Sequence, residues 1–411
     1  MMPVEINGER VLRDLYGLRK IGAFKTGVHR PTLSADDMIT RHWLVDELRA
    51  IGHTAEIDGI ANVVGLSPAT GKKMLAGSHL ESQNEAGWLD GALGVIYALE
   101  AARVIASTPG YEDVGVDVLA FADEEGHFGS FFGSYSFVGE LTEATIDSAR
   151  DRTRGMPLRD ALRDAGLGGR DRALMQNDRY VGFLEAHIEQ GDRLESSALS
   201  IGIVTSIVSI SQFKIVFDGT QNHAGTTRMA IRRDAGVAAV EFLHDLQRVF
   251  PQHAGPHTVW TTGRITLDPG APSIIPGRAE VLFQFRDDNP EKLKELEAVL
   301  RDAVVRADER GPCAARLETL AKSIPAVMDE TILSALDRSA EQHAPGRFTR
   351  MPSGAGHDAQ ILARHLPAGV LFVPSIGGIS HHWTENTSDD DIVLGAQVFA
   401  SAIAQTLKPS V

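Results

Sequence analysis

Residues 73–121 read KMLAGSHLESQNEAGWLDGALGVIYALEAARVIASTPGYEDVGVDVLAF. The ends of this stretch, KMLAG (73–77) and VGVDVLAF (114–121), are short apolar runs that suit strands buried on both faces. Between them GALGVIYALEAARVI (91–105) is apolar, rich in good helix formers and too long for a strand, so it predicts a helix packed on the sheet. Strand, helix and strand in that order imply a parallel pair with a helical crossover. The expected fold class is therefore α/β, a sandwich with a largely parallel core.

Working outward, ADDMITRHWLVDELRAI (35–51) repeats apolar residues at helical spacing and predicts another layer helix. From residue 208 the texture changes. SISQFKIVFDG (209–219) suits a strand, RRDAGVAAVEFLHDLQRVF (232–250) a helix, and HTVWTTGRITL (257–267) and GRAEVLFQFR (277–286) two strands. PEKLKELEAVLRDAVVRADER (290–310) is a charged amphipathic helix and ARLETLA (315–321) a last strand. The order β-α-β-β-α-β predicts a ferredoxin-like (α+β) unit over 208–322. DETILSALDRSAEQHA (329–344) and GVLFVPS (369–375) then resume the first pattern. The expected organisation is a discontinuous domain, 1–207 with 323–411, carrying an inserted domain at 208–322.

Composition narrows the function. The 411 residues are 43% hydrophobic and 23% charged, ordinary for a globular chain, and no apolar run approaches the length of a membrane span. The start, MMPVEINGERVLRDLYGL, has no apolar signal region. A single cysteine, Cys313, excludes an internal disulfide, so the expected location is the cytoplasm. A net charge of -15, from 40 basic and 55 acidic residues, argues against nucleic acid but not against a small anionic substrate.

Five segments set histidine or carboxylate at or just past predicted strand ends, where α/β sheets build their sites. They are GSHLES (77–82), WLDGALG (88–94), FADEEGHFG (121–129), EAHIEQGD (185–192) and GGISHHWTEN (377–386). Each alone also fits an ordinary structural residue. Together they point to a metal. Adjacent Glu124 and Glu125 repel unless a cation or proton lies between them, and the histidines and aspartate are ligands that zinc, manganese, cobalt or nickel accept. With no cysteine ligand in the set, a catalytic site is expected rather than a thiolate structural one.

At this point the chain resembles the dinuclear metal amidohydrolases that include N-carbamoyl-L-amino-acid hydrolase, allantoate amidohydrolase and β-ureidopropionase. The markers are GSHL (77–80), DGALGV (90–95), DEEG (123–126), HIEQG (187–191), NHAGTT (222–227), RRDA (232–235), SGAGHDAQ (353–360) and GGISH (377–381), in this order along nearly the whole length. The resemblance implies two divalent metal ions per subunit. Asp90 would bridge them, His79 and His187 complete one site, and Glu125 and His381 the other. Glu124 would be the general base that takes a proton from the attacking water. The inserted domain would be a lid through which a homodimer forms, with His223 reaching the neighbouring subunit's site to stabilise the oxyanion. Gln190, Arg286, Ser273, Arg228, Gly354 and Ala355 would line the substrate pocket, Arg286 as carboxylate clamp; His357 and Asp358 would be supporting residues.

The chain departs from the resemblance at four places. Glu81 replaces the usual aspartate expected to orient a histidine ligand, and Arg228 stands where proline is usual. Ser273 replaces an asparagine, and His382-Trp383 follows the last ligand. All five metal ligands are kept, so the departures bear on substrate more than on chemistry. The implied reaction is hydrolysis of the C–N bond of an N-carbamoyl amino acid or related ureido acid. An allantoate-type hydrolase, an N-acyl amino acid hydrolase and an inactive binding relative are the alternatives.

Overall fold

The computed structural model describes residues 3–408. They form two compact units, one running to Thr205 and resuming at Val327, the other spanning Ser206–Ala326. The sequence reading divides the chain at 207/208 and 322/323 instead. The strands Ile201–Ile207 and Ser209–Asp218 follow one another across Val208 alone, so no turn residues mark the change.

In the larger unit we label α1 (Ala35–Ala50), β1 (Thr54–Ile57), β2 (Val63–Leu66), β3 (Lys73–His79), α2 (Ala92–Ser107), β4 (Gly115–Phe121), β5 (Tyr180–Ile188) and β6 (Ile201–Ile207). A nine-stranded sheet forms its centre. Beside β6 lies the strand Ala368–Val373, then β5, β3, β4, β2 and β1. Ala368–Val373, β5, β3 and β4 run parallel, whereas β6, β2 and β1 pair antiparallel with their neighbours. The sheet is thus mixed, which corrects the largely parallel expectation. The cause is local. Asp58 accepts the backbone N–H of Ile60 and Asn62, closing a short loop between β1 and β2 that leaves room only for antiparallel pairing.

The helix α2 is buried from Ala92 to Ile105, as a helix apolar all round must be. It packs on β3, β4 and β5 and is covered by the helix Asp389–Leu407. A Cβ on Gly94 would lie 2.2 Å from the Ala186 carbonyl oxygen, so that glycine sets how closely α2 approaches the sheet.

The smaller unit runs β7 (Ser209–Asp218), α3 (Ala235–His253), β8 (Val259–Asp268), β9 (Arg278–Asp287), α4 (Pro290–Arg310) and β10 (Ala314–Lys322). Its four strands pair antiparallel in the order β8–β9–β7–β10, the arrangement of a ferredoxin-like fold. Alternation puts Val281, Phe283 and Phe285 against Phe242, Leu246, Phe250, Leu296 and Leu300 of the two helices. Cys313 is buried in that core, and burial pushes its thiol up, away from nucleophilic use. Among the described residues no helix is long and apolar enough to cross a membrane.

Candidate metal centre

Parallel strands bring their C-terminal ends to one edge, and the candidate ligands sit there. His79 ends β3 opposite Phe121 of β4, and Glu124 and Glu125 follow Phe121 by a few residues. His187 lies near the end of β5, paired with Phe372 of Ala368–Val373. Asp90 stands two residues before α2, next to its N-cap Gly91, and His381 lies between Ala368–Val373 and the last helix.

These residues converge on Asp90. Its Oδ1 lies 3.0 Å from His187 Nε2 and 3.5 Å from His79 Nε2, while its Oδ2 lies 3.3 Å from His381 Nε2. His381 Nε2 is 3.7 Å from Glu125 Oε2, and Glu124 Oε2 is 3.7 Å from His79 Nε2. Two groups can therefore each hold a cation, His79–Asp90–His187 and Asp90–Glu125–His381, with ligand atoms within 4.8 Å of one another in each. Asp90 belongs to both.

The hydrogen bonds at Nδ1 turn Nε2 of both histidines toward Asp90. His79 Nδ1 donates to the Glu81 carbonyl (3.0 Å), so its Nε2 is unprotonated in the neutral ring, and that buried nitrogen has no hydrogen-bond partner. His187 Nδ1 donates to the Ile188 carbonyl (2.9 Å), and its Nε2 accepts a long contact from the Gly91 N–H (3.3 Å). The donor set of imidazole and carboxylate suits a divalent transition metal, so the residues fit the group they were expected to hold.

Electrostatics agree. Burial favours neutral His79, but Glu124, Asp90 and Glu81 raise its proton affinity well above the ordinary value. Burial raises the Asp90 carboxyl too, yet His187, His381 and His79 hold it well below the usual carboxylate range. His381, hydrogen-bonded to Asp90, is pushed up to about 9. Glu124 is driven well above its usual range, first by burial and then by Glu125, Asp358 and Asp90, against the pull of His79. The cluster demands positive charge, as protons or as metal ions.

Three side chains at this edge stand on left-handed backbone: Asp123 (φ 61°), Gln190 (φ 59°) and His381 (φ 54°). Such strain at non-glycine residues gathers at functional sites.

Glu81 requires a correction. Its carboxylate oxygen Oε1 is 3.9 Å from His79 Nδ1, and the ring is oriented instead by the Glu81 backbone carbonyl. The carboxylate accepts from the Glu124 N–H (2.7 Å) and pairs with buried Arg41 (2.6 Å). Glutamate, one methylene longer than aspartate, reaches past the histidine. Gln190, expected to hold substrate, donates to Asp90 Oδ2 (3.0 Å) and to Ser380 Oγ (3.2 Å). Gly354 and Ala355 lie on a loop where Ser353 Oγ accepts the Ala355 N–H and meets His357 Nε2 at 2.9 Å. The His357 ring packs on His187 at 4.7 Å.

Sequence reading missed several supports. Gln83 donates its N–H and side-chain amide to the Glu125 carboxylate (3.1 and 2.7 Å). Glu385 accepts from the N–H groups of Leu89 and Asp90 (3.3 and 3.1 Å). Asp123 accepts from the N–H groups of His127, Phe128 and Gly129 and organises the loop after the glutamate pair. The TEN that follows His382-Trp383 and the Q of LESQ were visible signals, but nothing in one sequence says what they touch.

The other expected residues belong to the smaller unit. His223 and Ser273 are neighbours there, since Asn222–His223 pairs with Ile274–Ile275 and the Ala224 N–H donates to the Ser273 carbonyl (2.9 Å). The exposed His223 ring accepts from Gly225 N–H and Thr226 N–H at Nδ1 (3.0 and 3.2 Å), leaving the proton on Nε2 as a donor. Arg228 is exposed on the same loop, which Arg232 braces through Thr227 O (3.1 Å). Arg286 lies elsewhere. Arg278 of β9 pairs with Asp218, the strand end nearest His223, whereas Arg286 pairs with Ile210. Eight residues of strand separate them, about 26 Å at 3.3 Å per residue.

A mixed sheet that gathers three histidines and two glutamates around one shared aspartate is the site of a metal-dependent hydrolase. The chain belongs to Peptidase family M20/M25/M40, whose model matches residues 68–405. It is 32% identical to the N-carbamoyl-L-amino acid amidohydrolase of Geobacillus stearothermophilus, covering 97% of this chain and 98% of the relative. It is 29% identical to the allantoate amidohydrolase of Bacillus subtilis, covering 89% and 91%. Among solved structures, an amidase of the hydantoinase/carbamoylase family from Burkholderia phymatum superposes with a TM-score of 0.90 at 44% identity, covering 98% of both chains. The relationship read from the eight motifs holds, as does the expectation of an amidohydrolase-type enzyme.

Proposed function

We propose that this chain hydrolyses the ureido C–N bond of an N-carbamoyl amino acid or a closely related ureido acid, with two divalent cations per subunit. The observation that carries the reading is the division of the Asp90 carboxylate, Oδ1 toward His79 and His187 and Oδ2 toward His381. Divalent cations held there supply Lewis acidity to the carbonyl under attack and lower the pKa of water. The protein's own groups do the rest. Asp90, His79, His187, Glu125 and His381 hold the cations. Glu124, beside His79 but outside both ligand groups, takes a proton from the attacking water and delivers it to the leaving nitrogen. Water adds to the carbamoyl carbon, the C–N bond breaks, and the released carbamate decays to ammonia and carbon dioxide.

In this reading His223 donates its Nε2–H to the developing oxyanion and Arg286 pairs with the substrate carboxylate. Their separation along one smaller unit supports a division of labour between subunits: a small ureido acid cannot reach both groups of one unit. The smaller unit is then lid and dimerisation domain, with His223 serving the neighbouring subunit's site. Ser273, Gln190, Gly354 and Ala355 complete the pocket.

One observation favours a second substrate. The exposed cation Arg228, on the His223 loop, offers a partner for a second carboxylate or ureido group, as an allantoate-type acid would require. The test is a panel of N-carbamoyl-, N-formyl- and N-acetyl-L-amino acids plus allantoate, with enzyme reconstituted separately with zinc, manganese, cobalt and nickel. Ammonia release from N-carbamoyl-L-amino acids above the other compounds is expected. Preference for N-acetyl compounds would assign an acylase, and no turnover with any metal an inactive relative.

A further inference from the structure

We propose that Arg41 is a positioning residue for Glu124, acting through Glu81. The proposal rests on the reading of Glu124 as the general base. Arg41 leaves α1 and is wholly buried. Its planar fork has five partners: Nε meets Asp37 (2.9 Å), Nη1 donates to the Ala61 carbonyl (2.7 Å) and at longer range to the Phe121 and Ala120 carbonyls (3.3 and 3.4 Å), and Nη2 pairs with Glu81 Oε2 (2.6 Å). The other Glu81 oxygen, Oε1, accepts the Glu124 N–H at 2.7 Å. Asp37 is fixed in turn, accepting the Leu33 N–H at 2.8 Å. A continuous chain of buried, charge-assisted bonds thus runs from α1 to the backbone of the proposed base.

The link has work to do because the chain turns off the sheet there. β4 ends at Phe121, and Asp123 is left-handed, so among the described residues the Glu124 N–H has the Glu81 carboxylate as its partner in place of a ladder bond. Neighbouring Glu125 is held independently by two bonds from Gln83. The Glu124 carboxylate has no such hold, its nearest cationic group being His79 Nε2 at 3.7 Å. Its position therefore depends on the 123–124 peptide, and so on Glu81 and Arg41. Stability alone does not account for the arrangement, because apolar residues of similar volume often match the stability of a buried ion cluster such as Asp37, Arg41 and Glu81.

Glu81→Gln keeps the shape but offers one acceptor oxygen where Arg41 and the Glu124 N–H need two. Arg41→Lys keeps the charge but not the fork. Each variant, loaded with manganese, is assayed for kcat and KM on the N-carbamoyl-L-amino acid that the wild type turns over best, with metal content and folded fraction measured on the same sample. The expected result is a kcat lower by about 10–100-fold per folded, metal-loaded site, with KM within about threefold and manganese content unchanged, as for a misplaced catalytic group. The double variant should be no worse than the weaker single by more than about threefold, since both cut one link. A Glu81→Gln kcat within about twofold of wild type, or multiplicative losses in the double variant, overturns the proposal. If Arg41→Lys does not fold, Glu81→Gln decides alone. Glu124→Gln run beside them separates the failures: wild-type kcat there overturns the general base itself, whereas an inactive Glu124→Gln with an active Glu81→Gln overturns only the role of Arg41.

Discussion

At the scale of single residues, the two adjacent glutamates have different tasks in the proposed mechanism, and their surroundings support the difference. Glu125 sits within reach of His381 and is gripped by Gln83, while Glu124 points toward His79. Asp90→Ala removes the group shared by both ligand sets and should abolish metal binding together with turnover. Glu124→Gln should keep near wild-type metal content while turnover falls by about 10²–10⁴. Elemental analysis of the two variants decides, and loss of metal from Glu124→Gln would reverse the two roles. A second test belongs to Arg286. It occupies the half-buried face of β9. If Arg286 pairs with the substrate carboxylate, Arg286→Ala should lose about 2–4 kcal/mol in kcat/KM for acids and far less for the matching amides. Equal losses would give it a role in holding the smaller unit together.

At the scale of elements, the turn from Asp90 into α2 couples the fold to the site. Gly91 is left-handed (φ 69°), and a Cβ there would fall 2.4 Å from the His79 ring. Helix, aspartate and histidine are thus mutually fitted. Gly91→Ala is expected to cost about 2–4 kcal/mol of stability, from the backbone conformation and the overlap with the imidazole. It should also weaken metal retention, because His79 must move. A thermal melt and metal titration of this variant check both, and an unchanged Tm with full metal content would refute the coupling. Elements were also the most legible level in the sequence. α2 and α4 lie where periodicity set them, because long apolar or amphipathic runs leave little alternative. The hairpin β1–β2 went unread, since it depends on one aspartate folding over its own loop.

At the scale of the whole molecule, the proposed dimer makes a prediction that neither unit makes alone. His223→Ala and Glu124→Gln homodimers should each be nearly inactive. Refolded together, they should recover part of the wild-type activity, because one site of a mixed dimer then carries both intact groups. Mass spectrometry must establish the mixed species, and its complete inactivity would confine His223 to its own subunit or remove it from catalysis.

The sequence alone determined which residue types were available and roughly where along the chain each strand and helix would run. Histidine and carboxylate at strand ends, a glutamate pair after an apolar run and eight ordered motifs sufficed for the family and the candidate ligands. Tertiary structure alone decided what each side chain touches. It turned the Glu81 carboxylate from His79 to Arg41 and the Glu124 N–H, and set Gln190 on Asp90. It also placed His223 on a separate two-stranded ladder, away from Arg286 in the four-stranded sheet of the smaller unit. The physical reason is range. Periodicity and turn chemistry act over a few neighbouring residues and can be read in order, whereas a buried hydrogen bond joins groups 40 or 100 residues apart and exists only once the sheet has brought them together.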